Sequence, residues 1–87
     1  MKMTAIGLLV PGPIQIGGES TGWQILLDNP ILLHGQALAS IEVDHDSSRF
    51  PPYANKRVEA TGELGSLWGP ERGLRPVLEV ETIRELV

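Results

Sequence analysis

Val58, Ala60, Gly62 and Leu64 fall at every second position of one stretch, with Arg57 before them and Glu59, Thr61 and Glu63 in the gaps between them. That is the period of a strand with one dry face and one wet face. It predicts a strand over 57–64. Further on, Leu78 and Val80 alternate with Glu79 and Glu81, which predicts a closing strand from Pro76 to about Arg84. Helix is the competing reading there, because Leu and Glu are good helix formers. Pro76 and the β-branched pair Thr82-Ile83 favour strand.

The first half of the chain yields three more strands. Thr4 to Val10 reads as the first, and Trp23 to Leu27 as the second, with Trp23, Ile25 and Leu27 on one face. Asp28-Asn29-Pro30 is a turn signal. Ile31-Leu32-Leu33 is a short buried-strand candidate that stops at His34-Gly35. Gln36 to Asp44 reads as the third strand, with Leu38 and Val43 inward and Glu42 and Asp44 nearer solvent. Leu38 and Val43 differ in parity, so a bulge between them or a break near Ser40 is expected. The stretch from Asp46 to Asn55 holds Pro51 and Pro52 and has room for a single helical turn at best.

Eighty-seven residues with 41% hydrophobic and 21% charged content fit one folded domain, spanning 1–87. Ten glycines and seven prolines favour short strands joined by tight turns over long helices. A core this small must pack efficiently or gain stability by oligomerising. The absence of cysteine excludes disulfides, Cys-ligated zinc and thiol catalysis. The net charge is -4, from seven Lys and Arg against eleven Asp and Glu, and this counts against indiscriminate nucleic-acid binding. No apolar run has the length of a membrane span. Pro11 and Pro13 interrupt the apolar Ile6 to Val10 run too soon for a signal peptide, so a cytoplasmic protein without membrane contact is expected.

Five short strands, with Gly-rich connections after the first and between the fourth and fifth, resemble the OB-fold. The phrase Lys56-Arg57-Val58-Glu59-Ala60-Thr61-Gly62-Glu63-Leu64 is similar to its fourth strand, and Arg75 to Ile83 to its closing strand. The resemblance implies an all-β, five-stranded OB-like barrel with little or no helix. The helix that many OB-folds carry between strands three and four has no counterpart here, which leaves Phe50 and Tyr53, or a partner subunit, to close that end. The resemblance further implies ligand binding across strands two and three, between the connections Pro11 to Gly22 and Gly65 to Arg75.

The second of those connections holds the richest chemistry. Trp68, Arg72 and Arg75 offer a stacking ring and two guanidinium groups, the equipment for single-stranded nucleic acid. The alternative is that Trp68 folds back as a lid on the core. Trp23, Lys56 and Arg57 are further ligand-binding candidates, although Ile25 and Leu27 make Trp23 read as core and a lone Lys-Arg pair is ordinary surface. Neither a cofactor nor a metal is implied: His34 with Asp44-His45-Asp46 offers donors, but neighbouring residues of a strand point to opposite faces. No nucleophile-elbow or phosphate-loop spacing occurs, so an enzyme is not expected. Two functions stand. One is a non-catalytic OB-type binding module for single-stranded nucleic acid or another extended ligand. The other is a structural or assembly protein that self-associates or docks on a protein partner.

Overall fold

The computed structural model describes residues 1–12, 22–33, 35–43, 49–69 and 73–87, with the backbone alone at 67–69 and 73–75. Five strands account for most of them: β1 (Lys2–Pro11), β2 (Trp23–Leu33), β3 (Gln36–Val43), β4 (Lys56–Gly69) and β5 (Gly73–Glu85). They form one sheet that closes on itself in the order β1-β2-β3-β5-β4. All neighbours are antiparallel except β3 and β5, which run parallel through Glu42↔Val77 and Val43↔Leu78. The all-β fold of five strands with little helix, expected from the sequence, is thus the fold observed, as one closed sheet. The only helical element among the described residues is a single 3-10 turn, Pro51–Tyr53, and no helix there is long and apolar enough to cross a membrane.

Alternation explains the core. β1 sends Ala5 and Leu9 inward, β2 Ile25, β3 Ile41 and Val43, β4 Val58 and Ala60, β5 Leu78 and Val80. Each strand therefore adds one or two small or medium side chains to a shared interior, and Phe50 adds the largest fully buried one. Phe50 precedes the 3-10 turn, in which Tyr53 N–H donates to Phe50 O at 2.8 Å and Ala54 N–H to Pro51 O at 3.1 Å. Half-buried Tyr53 packs on the same core. Both aromatics of the stretch in which no full helix was expected thus pack on the core.

Two glycines let the sheet close. A Cβ on Gly7 would lie 2.7 Å from the Leu26 carbonyl carbon, and one on Gly62 at 2.7 Å from that of Glu79. Both obstacles are backbone, so only glycine permits the approach. Gly62 also sits beside a bulge: Thr61 pairs with Thr82 and Gly62 with Val80, which leaves Glu81 as the extra residue of β5.

Several expected boundaries need correction. Asp28-Asn29-Pro30 does not end the second strand. Leu26 pairs with Ser40 and Ile31 with Leu38, so Leu27 to Pro30 bulge against Ala39 and the strand resumes. The turn falls instead after Leu33, which pairs with Gln36, with Gly35 at a φ of 79. The irregularity expected in the third strand therefore belongs to β2, and β3 is continuous. Leu38 then lies on the face opposite Val43, half-buried rather than inward, as their parity demands. Glu42, expected near solvent, is buried, because it lies where β3 is flanked by β2 and β5 together. Asp44 lies outside the described residues.

Candidate ligand-binding face

Strands β2 and β3, with the connections beside them, are the part of the sheet where the resemblance in the sequence leads a ligand to be expected. The base of the β1–β2 connection is fastened by Pro11↔Trp23 pairing and by Gly12 N–H donating to Gly22 O at 2.7 Å. Residues 13–21 of that connection lie outside the described residues. Across the strands, Gln24 pairs with Glu42 and Leu26 with Ser40, and Leu8 of β1 continues the second row opposite Leu26. Leu26 is 42% exposed and Leu8 37%, so an apolar step sits on the outer surface beside polar Gln24 and Ser40. The alternation of the second strand marks Leu26 as outward, but only the register reveals Leu8 beside it.

The largest departure from the sequence reading lies on the other side of this face. The stretch Gly65 to Arg75, expected as a loop, is mostly ladder. Backbone pairing of β4 with β5 continues through Gly65↔Val77, Ser66↔Pro76, Leu67↔Arg75 and Trp68↔Leu74 to Gly69↔Gly73. Pro76 fits because nothing in the described ladder of β3 reaches it: β5 meets β3 only from Val77 on. A hairpin thus projects past the closed sheet from the β3–β5 seam. Arg72 lies outside the described residues, as do the side chains of Trp68 and Arg75. Their backbones place Trp68 and Arg75 at successive rungs of this hairpin.

The remaining candidates lie elsewhere. Trp23 is half-buried and meets Phe50 with ring centroids 6.0 Å apart, so it belongs to the core margin at the start of β2. Lys56 Nζ pairs with Glu85 at 3.3 Å. Arg57 donates from Nε at 2.7 Å and from Nη2 to the same Asp28 oxygen, and the hydrogen bond and charge of Asp28 hold its guanidinium above the usual value. Arg84 Nε likewise donates to Glu59 at 2.9 Å, and Lys2 pairs with Glu81. Arg49 donates from Nη2 to Val80 O at 2.6 Å and lies over the Phe50 ring at 5.6 Å. Among the described side chains, then, every Lys and Arg on the body of the sheet has a carboxylate or carbonyl partner.

Arg57 and Asp28 also wall a shallow concavity of about 240 Å³, floored by Ile6, Leu27 and Ile31 and edged by Thr4 and Asn29. It opens where β2 bulges away from β1, apart from the β4–β5 hairpin. His34 and Asp44-His45-Asp46, the donors weighed for a metal, lie outside the described residues. Neither a family model, nor a curated protein, nor a solved structure matches this chain.

Proposed function

We propose that this chain is a non-catalytic binding module that receives a single-stranded nucleic acid, or another extended ligand, across β2 and β3 and against the β4–β5 hairpin. The observation that carries this reading is the continuation of the β4–β5 ladder past the closed sheet to Gly69↔Gly73, with the backbones of Trp68 and Arg75 at successive rungs, which alternate between its two faces. A ladder-paired backbone loses less freedom on binding than an open loop does.

Charge sets the expected style of binding. Carboxylates of the body neutralise Lys2, Lys56, Arg57 and Arg84. Phosphate contacts would therefore come from the hairpin arginines, and affinity would depend weakly on salt. With two such contacts on a single strand, log K falls against log salt with a slope of about -1.4. A fluorescence titration with mixed-sequence oligonucleotides at low salt tests the proposal, because stacking quenches tryptophan. Emission that stays unchanged to high micromolar oligonucleotide removes nucleic acid as the ligand.

A further inference from the structure

We propose that the arm formed by the outer ends of β2 and β3 is a self-association surface, on which two copies of this chain pack arm to arm about a two-fold axis. From Asn29 to Ile41 the sequence holds no Asp, Glu, Lys or Arg. Within this arm Leu32 is 74% exposed, the largest exposure of any internal large hydrophobic residue among those described. It pairs in register with Ala37, and both Ala37 and Ala39 are exposed. The strip lies beyond the β2 bulge at Leu27 to Pro30, and its exposure shows that the closed core does not cover it.

The edge of the arm leads to the same occupant. β3 meets β5 only at Glu42 and Val43, and no described residue pairs with that edge from Gln36 to Ile41. Exposed strand edges are normally guarded by charge or proline. The β2 side of the arm has Asp28 and Pro30, whereas Gln36-Ala37-Leu38-Ala39-Ser40 has neither. Copies that each carry a net charge of -4 repel one another, and they approach at least cost where both surfaces are uncharged. A charged foreign partner would find nothing here to steer it. An antiparallel two-fold brings Leu32, Ala37 and Ala39 against their own equivalents, which is the self-complementary match an isologous contact needs.

Sedimentation velocity on the whole chain, without ligand, from low micromolar to millimolar concentration tests this independently of nucleic-acid binding. A concentration-dependent monomer–dimer equilibrium is expected. Leu32→Asp should raise the dissociation constant roughly a hundredfold, since the symmetric contact loses two buried leucines, with circular dichroism unchanged and melting unchanged at concentrations where both proteins are monomeric. Ala39→Lys places a charge on the open edge and should act in the same direction, so the test survives if one variant folds poorly. A wild-type chain that stays monomeric throughout, or folded variants that dimerise as the wild type does, would overturn the proposal.

Discussion

Trp23 and Phe50 meet with ring centroids 6.0 Å apart and planes inclined at 57°, joining the start of β2 to the residue that precedes the 3-10 turn. Tilted rings at this separation attract beyond the area they bury. Phe50 is fully buried and is the largest side chain of the core. Phe50→Ala should cost about 3–5 kcal/mol, a large part of a small domain's stability. Thermal melting reads this directly. A midpoint lowered by only a degree or two would mean that the ring adds little to the core.

Gly7 and Gly62 should resist even alanine. At both positions the obstacle is a carbonyl of a neighbouring strand, which cannot swing aside as a flexible side chain can. Each substitution should destabilise by about 1–3 kcal/mol, as overpacking does. Gly65→Ala is the control, because its nearest contacts would be ordinary ones at 3.7 Å. Urea denaturation of the three variants should separate the first two from the third.

Arg57→Ala and Lys56→Ala should leave oligonucleotide affinity nearly unchanged, since both cations already face carboxylates, Asp28 and Glu85. Their melting temperatures should also stay close to that of the parent, because exposed ion pairs contribute little. A marked loss of affinity in either variant would shift the ligand toward the β1–β4 side and its concavity.

Trp68→Ala separates the two roles open to that ring. As a stacking platform on the hairpin it should weaken oligonucleotide binding by about 1–3 kcal/mol per stacked base, with melting unaffected. A collapse of melting temperature with binding retained would make the ring part of the core and leave the hairpin without its central contact.

The strands were legible where one face is dry and the other wet. Val58 to Leu64 and Leu78 to Val80 alternate cleanly because each lines the interior with every second residue. The single helical turn was legible because Pro51 and Pro52 leave no room for a full helix. Two features were hidden. Asp28-Asn29-Pro30 carries every local mark of a turn, yet pairing on both sides of it holds the segment in β2 as a bulge. Gly65 to Arg75 lacks apolar alternation and is rich in glycine, so it reads as a loop although the backbone of Gly65 to Gly69 stays paired with that of Gly73 to Val77. The site suffered in the same way: Arg57 with Asp28, and Leu8 with Leu26, are brought together by register between distant strands, which no local pattern encodes.

An amide-resolved NMR titration with a short single-stranded oligonucleotide tests the central claim most directly. Shifts should gather on the β4–β5 hairpin from Leu67 to Arg75 and on Gln24, Leu26 and Ser40 of β2 and β3. Arg72→Ala with Arg75→Ala should abolish them at unchanged melting temperature, since surface substitutions usually stay within about 0.5 kcal/mol. Shifts absent at saturating oligonucleotide, or confined to β1 and the outer face of β4, would contradict it.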